Sequence, residues 1–382
     1  MVQKKMSVVF CGTRGIPANY GGFETAVDKI SSIMNNQSVN CYVVCRENSY
    51  SKENRPTNIN GINLIWVKGS KYNKLDTIVS SIQTALYLIK NRTLFDCIFW
   101  FNNANFPGII LSKLTRKKII INTDGLEWKR AKWSLPFKAY YFFTSFLIAR
   151  NFKTLISDSI SIQDYYKSVF KKVTEFIPYG VPDKVTLTKD KSNEIISQYG
   201  LEKDKYFLQI TRFEPDNMPL KIIEGFINAS INDKYKFVLV GYKHSNKYSE
   251  SIKHLEETNK NIIVLDAIYD GEIIAALRQN AFCYVHGNSV GGTNPALLEA
   301  MHECKRIMAI NNGFSKEVLQ SEGYYFDDSN IVEVYKNTLS TIDNGERLKE
   351  RSKYYNWDLV VASYLNLALG KNANYGYKES DF

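Results

Sequence analysis

The sequence HGNSVGGTNPALLEAM, residues His286–Met301, decides the fold class of this 382-residue chain. An apolar run at 281–285 precedes it and predicts a buried strand, and from Pro295 onward the apolar residues follow helical spacing. The stretch therefore predicts a strand, a glycine-containing loop and a helix. Pro295 suits the first helical turn, and Asn294 suits the N-cap position before it.

The loop of this stretch has the features of an anion-binding site. Backbone amides at Gly292, Thr293 and Asn294 would lie at the positive end of the helix dipole, an arrangement that most often binds phosphate. Glu299, one turn into the helix, is placed to accept hydrogen bonds from a neutral hydroxylated group such as a ribose. The alternative is an ordinary strand-to-helix crossover with an exposed glutamate. Only the remaining sequence can distinguish this alternative from an anion-binding site.

Length and charge predict two domains with different partners. A chain of 382 residues with 44% apolar residues is long enough for two cores. The net charge is +10, but residues 1–180 hold 25 Lys and Arg against 11 Asp and Glu, whereas the remainder holds 24 against 28. The first half is therefore expected to face an anionic surface, either a membrane or a polyanion.

The cysteines and the N-terminus indicate a reducing compartment. The six cysteines form no CxxC pair of the kind that binds zinc, and they are predicted to be reduced core residues. The apolar run after Lys5 ends at Cys11, which is too short for a signal peptide or a bilayer span. These features predict a cytoplasmic chain without a transmembrane segment.

The start of the chain also combines a strand, a glycine loop and a helix. Strand-like residues 7–11 run into GTRGIPANYGGFE, and residues 25–34 have helical spacing, which predicts a doubly wound domain with a nucleotide or phosphate at the loop. The glycines do not fit GxGxxG, and the loop lacks the GKS or GKT of a P-loop. This argues against nicotinamide binding and NTPase activity.

Strands and helices then alternate along the chain, which predicts an α/β fold with two parallel sheets. The expected boundaries are a first domain at 1–182, a polar linker at 183–204 after IPYGVP, and a second domain at 205–355. In the remaining segment, 356–382, Asn356 is predicted to cap a strongly amphipathic helix, WDLVVASYLNLAL, before a loose tail.

Two further residues are candidates because ligands of such sheets bind beyond the carboxyl ends of the strands. Asp124 follows a predicted strand that ends at Asn122, and Arg212 follows the first strand of the second domain. A guanidinium at Arg212 would pair with a diphosphate. A purely structural aspartate and a surface arginine in a turn remain the alternatives.

An aromatic helix predicted at 134–153 follows the basic residues Lys129, Arg130 and Lys132. Basic residues beside exposed aromatic ones are typical of a helix that lies in a membrane interface. The alternative is a core helix with a solvated basic lead-in. No recognised nucleic-acid-binding module accompanies it, so no nucleic-acid partner is predicted.

With these motifs identified, the chain resembles the retaining glycosyltransferases of family GT4, within them the bacterial rhamnosyltransferase group. The resemblance covers nearly the full length and is carried by GTRGIPANYGGFE, NTDGLEWKRAKW, RFEPDN and HGNSVGGTNPALLEAM. It implies a GT-B fold, in which two Rossmann-like doubly wound domains face a common cleft. The second domain would hold the nucleotide sugar, the first would bind the acceptor, and the last helix would cross back to the first domain.

The resemblance also implies roles for individual residues. Glu299 matches the second glutamate of a paired-glutamate motif that binds the ribose hydroxyls, and the loop at 292–294 matches the one whose amides meet the diphosphate and the sugar. Arg212 matches the diphosphate-binding arginine. Gly21 and Gly22 match the N-terminal glycine loop near the donor phosphates, and Tyr269 lies in the segment that holds the base.

Three positions depart from the family pattern. The first glutamate of the pair is replaced by Gly291, the lysine that usually follows the arginine in the donor site is Asn217, and the histidine of the first domain is replaced by Asp124. With one cation fewer against the leaving diphosphate, Arg14 is expected to supply another. Asp124 is expected to orient the sugar or the acceptor hydroxyl.

The activity implied by the resemblance is transfer of a sugar, L-rhamnose from its dTDP derivative, to a polyprenyl-diphosphate-linked saccharide in bacterial surface polysaccharide synthesis. No two aspartates stand two residues apart, so a metal-independent reaction without a further cofactor is predicted. The enzyme would lie on the cytoplasmic face of the membrane, in contact with anionic lipid. The alternatives are a GT-B-fold sugar-nucleotide epimerase or hydrolase, for which His286 is a candidate, and a non-catalytic sugar-nucleotide-binding subunit.

Overall fold

The structure is a computed structural model, and it describes residues 5–18, 21–72, 75–123, 125–131, 133–231, 233–241 and 247–376. The chain divides into two compact units. The first contains Met1–Trp128, Trp133–Tyr179 and Asn356–Phe382, and the second contains Lys129–Lys132 and Gly180–Tyr355. Each unit is an α/β domain with its own sheet and its own core.

The first unit is built on an eight-stranded sheet in the order β3-β4-β2-β1-β5-β6-β7-β8. Neighbouring strands are parallel except β3 and β4, which are antiparallel. The elements in chain order are β1 (Ser7–Cys11), α1 (Gly22–Asn36), β2 (Asn40–Arg46), β3 (Asn58–Ile59), β4 (Ile62–Val67), α2 (Asp76–Lys90), β5 (Cys97–Phe101), α3 (Phe106–Leu111), β6 (Lys118–Asn122), α4 (Leu135–Asn151), β7 (Thr154–Ser157), α5 (Ile160–Val169), β8 (Glu175–Phe176) and, from the end of the chain, α14 (Trp357–Leu369).

The last helix completes the core of the first unit. All residues of the central strands β1 and β5 are buried, as expected for continuous apolar strands covered on both faces. The ring of Tyr364 on α14 lies 5.2 Å from that of Phe99 and 6.4 Å from that of Phe101, and its hydroxyl accepts a 2.9 Å hydrogen bond from Nδ2 of Asn122. Helix α14 also contacts α1.

The second unit has a six-stranded parallel sheet in the order β11-β10-β9-β12-β13-β14. Its elements are α6 (Lys189–Gln198), β9 (Tyr206–Ile210), α7 (Pro219–Asn228), β10 (Lys236–Val240), α8 (Lys247–Thr258), β11 (Ile262–Leu265), α9 (Gly271–Asn280), β12 (Cys283–His286), α10 (Pro295–Glu303), β13 (Ile307–Ile310), α11 (Gly313–Leu319), β14 (Tyr324–Phe326), α12 (Ile331–Thr338) and α13 (Gly345–Ser352). Helix α7 contacts α8 and α12, whereas α10 contacts α9 and α13. These two sets of helices cover the sheet, and an aromatic core that includes Phe207, Phe226 and Tyr335 packs beside α7.

The observed fold confirms the predicted α/β class with two Rossmann-like parallel sheets. Residues 183–204 differ from the expected linker, because they contain α6, which packs against α9. Helix α14 differs from a strongly amphipathic helix, since it is apolar on most sides and leaves Leu359 and Leu369 exposed. All six cysteines are buried and free of disulfides, and the helices described here include none long and apolar enough to cross a bilayer.

Candidate functional site

The candidate site of the second unit lies where its strand order reverses. Strands β9 and β12 are parallel neighbours, yet β9 continues to β10 on one side of the sheet and β12 continues to β13 on the other. Loops that leave two such strands diverge and open a crevice, which is where ligands of doubly wound sheets bind. Arg212 follows β9, and the loop at 287–294 follows β12.

The two loops are joined by direct hydrogen bonds. Ser289 donates both its backbone amide and its hydroxyl to the carbonyl oxygen of Asp216, each at 2.9 Å. A Cβ at Gly287 would lie 2.3 Å from the carbonyl oxygen of Asn217, so only glycine permits this approach. That same oxygen accepts a 2.9 Å bond from Nε2 of Gln209 on β9.

Helix α10 begins as the sequence predicts. Asn294 has φ −90° and ψ 119°, and its side-chain oxygen accepts a 2.9 Å hydrogen bond from the amide of Ala296, with Pro295 in the first turn. Thr293 is buried and Gly292 is half-buried directly before the cap. The loop therefore presents a glycine and a capped helix N-terminus at the crevice, the combination that favours an anion.

His286 ends β12 behind this loop. Burial lowers its pKa to about 4, so the imidazole is neutral near pH 7. It lines a small cavity of about 10 Å³ together with Gly292, Asn294 and Ser315, whose buried hydroxyl makes no hydrogen bond within the described ranges. A role of His286 in an epimerase or hydrolase stays a prediction.

Arg212 is an exposed cation in the loop that follows β9. Its side chain is 51% exposed, and its Nη1 lies 4.0 Å from Oε1 of Glu214. Asn217 is buried and donates Nδ2 to the carbonyl oxygen of Arg212 at 2.9 Å. The observed role of the Asn217 side chain is thus to hold the backbone that carries Arg212, and its direct contact with a donor stays a prediction.

Glu299 is paired with an arginine that the sequence did not single out. Arg278, near the end of α9, donates Nη2 to Oε2 of Glu299 and Nη1 to Oε2 of Glu303 at 3.3 Å. The side chain of Arg278 is 6% exposed, that of Glu303 is 8% exposed and that of Glu299 is 30% exposed. Glu299 is therefore the member of this triad that faces solvent.

Tyr269 is exposed and makes no contact with the residues described above. Tyr269 lies in the loop between β11 and α9 with a side chain that is 87% exposed, and it follows an edge strand rather than β9 or β12. Its contact with a base stays a prediction. Asp124 lies outside the described residues.

The first unit has a corresponding glycine loop at its own switch point, between β1 and β5. Gly12 has φ +94°, and a Cβ there would lie 2.1 Å from the carbonyl oxygen of Phe101. The carbonyl oxygen of Gly12 accepts hydrogen bonds from Nη2 of Arg46 at 3.2 Å and from Nδ2 of Asn105 at 2.9 Å. Arg46 is buried and also pairs with Asp76 at 3.3 Å, so two buried side chains fix this loop.

Three predicted residues lie in or after that loop. Arg14 donates its backbone amide to Oε1 of Glu24 at 2.9 Å. Gly21 is the N-cap of α1, and Gly22 is the first residue of that helix. Contacts therefore connect Arg14 to the start of α1 in the first unit and Arg212 to Asn217 in the second. That Glu299 and the 292–294 loop meet one ligand together with Arg212 stays a prediction.

Family models match most of the chain in two parts. Residues 5–182 match a domain of unknown function (DUF1972), and residues 191–356 match the glycosyl transferases group 1 family. No curated protein matches at a significant level. The match to the glycosyl transferases group 1 family thus falls almost wholly within the second unit.

Solved structures with the same fold span almost the whole chain. The structure is similar to sucrose-phosphate synthase from Thermosynechococcus elongatus, with a TM-score of 0.79 and 15% identity over 96% of this chain and 99% of that one. It is also similar to a glycosyltransferase from Rickettsia africae ESF-5, with a TM-score of 0.72 and 14% identity over 96% and 99%. Anabaena Alr3699/HepE in complex with UDP gives a TM-score of 0.71 and 12% identity over 96% and 100%. At these identities the likeness shows the fold alone, which is GT-B, with two Rossmann-like domains.

Proposed function

We propose that this chain, with a group 1 glycosyltransferase domain in a GT-B fold, is a metal-independent retaining glycosyltransferase. It would move a sugar from a nucleotide diphosphate to an acceptor hydroxyl. The observation that carries the proposal is the crevice of the second unit, where Arg212 and the capped N-terminus of α10 leave two neighbouring strands. A cation and a helix N-terminus at one crevice are suited to a diphosphate.

The chemistry follows from where negative charge develops. As the bond between the sugar C1 and the diphosphate oxygen breaks, charge accumulates on the diphosphate, and Arg212 and the amides at 292–294 would stabilise it. Arg14 would add a second cation. The acceptor oxygen bonds to C1 on the face that the diphosphate leaves, and its proton passes to a donor phosphate oxygen. Asp124 would orient the sugar or the acceptor hydroxyl.

The donor and acceptor are proposed from the resemblance and from the proteins of similar fold. Alr3699/HepE has been solved with UDP and with UDP and glucose, which supports a nucleotide-sugar donor. Within that class we propose L-rhamnose carried by dTDP, and as acceptor a polyprenyl-diphosphate-linked saccharide of bacterial surface polysaccharide synthesis. The sequence contains no Asp-x-Asp pair of the kind that holds a metal on the diphosphate, which supports a reaction without metal.

An exposed apolar surface on the first unit supports peripheral contact with the cytoplasmic face of the membrane. Leu135, Phe142 and Phe143 are exposed on α4. The ring of Phe142 lies 5.3 Å from that of Phe170, whose sequence neighbours Val169 and Lys171 are exposed. Exposed aromatic side chains beside cations suit an interface with anionic lipid.

Nucleotide-sugar turnover tests the proposal against its two rivals. The protein would be incubated with a panel of nucleotide sugars, with and without a lipid-linked saccharide. We expect release of nucleotide diphosphate that depends on the acceptor, with dTDP-rhamnose as the best donor. Conversion without acceptor would indicate an epimerase or hydrolase, and binding without conversion would indicate a non-catalytic subunit.

Vesicle co-sedimentation tests the membrane surface separately. Binding should rise with the fraction of anionic lipid and fall with salt, because the attraction is partly electrostatic. Phe143→Ser should reduce binding, whereas Leu86→Ser, at an exposed position on α2 of the same unit, should not. Binding that responds to neither lipid charge nor salt would remove this part of the proposal.

A further inference from the structure

We infer that Arg278 is a positioning residue that sets the carboxylate of Glu299 for a ribose hydroxyl of the nucleotide. The inference rests on the proposed function, because it assumes that a nucleotide occupies the crevice of the second unit. Arg278 would not touch the nucleotide. It would act through Glu299 by fixing one carboxylate oxygen and leaving the other for the ligand.

The geometry of the triad separates the two oxygens of Glu299. Oε2 of Glu299 is held by Nη2 of Arg278. Oε1 makes no hydrogen bond within the part of the chain that the structure describes. The Glu299 side chain as a whole is 30% exposed. We take this second oxygen as the acceptor for the ligand. A ribose hydroxyl donates one hydrogen bond, which matches one oriented oxygen.

The division of the guanidinium between two glutamates supports an orienting role. An arginine that serves only to pair with a carboxylate does so best by directing two parallel N–H groups at one carboxylate. Arg278 instead directs Nη2 to Glu299 and Nη1 to Glu303, which leaves each glutamate singly bonded. Its Nε is buried and makes no hydrogen bond with any described residue. Both hydrogen bonds of the Arg278 side chain therefore go to the two glutamates of α10.

Electrostatics explain why Glu299 needs this partner. Glu299 and Glu303 lie four residues apart on α10, so their charges face each other and repel. Burial by itself lowers the pKa of Arg278, but the charge of Glu299 and, less strongly, that of Glu303 raise it above its ordinary value. The guanidinium is therefore charged, and it holds both carboxylates on one helix face.

A merely structural ion pair would make a different prediction. If Arg278 only joined α9 to α10, its loss would lower stability and leave the preference for ribose hydroxyls unchanged in the folded protein. If Arg278 positions Glu299, its loss removes the preference for ribose hydroxyls. The affinity contributed by the diphosphate, which would bind elsewhere in the crevice, should remain. The preference for a hydroxyl is thus the measurement that separates the two roles.

The test is a set of calorimetric titrations with the full chain. The probes are dTDP and its 3′-deoxy counterpart, and UDP and its 2′,3′-dideoxy counterpart. The wild type should bind at least one hydroxyl-bearing nucleotide about 10-fold or more tightly than its deoxy counterpart, because an oriented acceptor would otherwise be left unpaired. Arg278→Lys and Glu299→Gln should reduce that ratio to about 3-fold or less.

Two further variants keep the outcome interpretable. Arg306→Met is the matched control, since Arg306 is another arginine of this unit and bonds the carbonyl oxygen of Thr341 at 3.0 Å instead of a glutamate of α10. It should keep the full ratio. Should Arg278→Lys fail to fold, the double variant Arg278→Met/Glu303→Leu removes one stranded carboxylate along with the arginine and should show the same loss of preference.

The possible results separate the inference from the proposed function. If the wild type binds neither dTDP nor UDP, the proposed function fails. If it binds them and folded Arg278 variants keep the wild-type ratio, the inference fails and the proposed function stands. If the wild type binds nucleotides without any preference for the hydroxyls, Glu299 is no ribose ligand and the inference again fails alone.

Discussion

The carbonyl oxygen of Asp216 accepts two hydrogen bonds from Ser289, one from its amide and one from its hydroxyl, each 2.9 Å long. Asp216 belongs to the loop that carries Arg212, and Ser289 belongs to the loop that leads to α10. The two halves of the candidate anion site are therefore one hydrogen-bonded structure, and a change in either loop is expected to affect both.

Ser289→Ala tests this coupling. The amide bond to Asp216 remains and the hydroxyl bond is lost, so unfolding free energy should fall by about 0.5–1.5 kcal/mol. The Kd for dTDP or UDP should rise several-fold, because the loops lose a shared constraint. Ser321→Ala, at an exposed serine of the same unit, should change neither quantity. Unchanged nucleotide affinity in Ser289→Ala would show that the loops act independently.

Asn294→Ala removes the cap of α10. Stability should fall by about 1 kcal/mol, and nucleotide affinity should fall with it because the first-turn amides lose their fixed arrangement. Asn356→Ala is the control, since Asn356 caps α14 by accepting from the amide of Asp358 at 2.7 Å. Its stability loss should be similar and its nucleotide affinity normal. Equal affinity losses in both variants would argue against an anion site at α10.

Arg212→Ala and Arg14→Ala test the charge stabilisation of the leaving diphosphate. Because Arg212 is half exposed, its loss should change stability by less than about 0.5 kcal/mol, yet lower kcat by about 10²–10³-fold. Arg347→Ala, at an arginine whose side chain is 74% exposed, is the control. Arg14→Ala should also lower kcat. If it leaves turnover unchanged while Arg212→Ala abolishes it, Arg14 has no such role.

His286 should make stability depend on pH. Burial lowers its pKa from 6.5 to about 4, so between these values the unfolded chain binds the proton more strongly. The free energy of unfolding is unaffected by this group above pH 6.5. It falls as the pH drops from 6.5 toward 4, by at most about 1.4 kcal/mol per pH unit. Urea unfolding at pH 7 and pH 5 should therefore differ less for His286→Gln than for the wild type. Equal pH dependence would contradict the assignment.

The fold class was predictable because buried parallel strands appear in the sequence as continuous apolar runs. Strand β1 lies where the sequence predicts it, and β6 ends at Asn122 as predicted. The predicted strand at 281–285 instead runs from Cys283 to His286, since a histidine does not extend an apolar pattern. The sequence of α6 favours a linker because it is mostly polar, and the buried face of the helix is limited to Ser192, Ile195 and Ile196. Such a short apolar face is too weak a periodic signal.

The site was predictable where it depends on local sequence. The cap at Asn294 and the proline after it are adjacent in the chain, so their pattern specifies their geometry. Arg278 and Glu299 are 21 residues apart on different helices, and an arginine near a helix end is usually solvated. A buried arginine with two carboxylates four residues apart becomes recognisable only when packing brings α9 against α10. The sequence around Asn217 likewise does not indicate that its side-chain amide bonds to the backbone of Arg212.

Helix α14 has a consequence for synthesis on the ribosome. The first unit is discontinuous in the chain, since Val360, Val361 and Tyr364, which fill part of its interior, follow the second unit and are translated after it. Until they emerge, the aromatic side chains of β5 lack a neighbour, and the nascent chain exposes surface that chaperones recognise. A protein cut after residue 355 should therefore yield an aggregation-prone N-terminal unit, although none of the deleted residues belongs to its sheet.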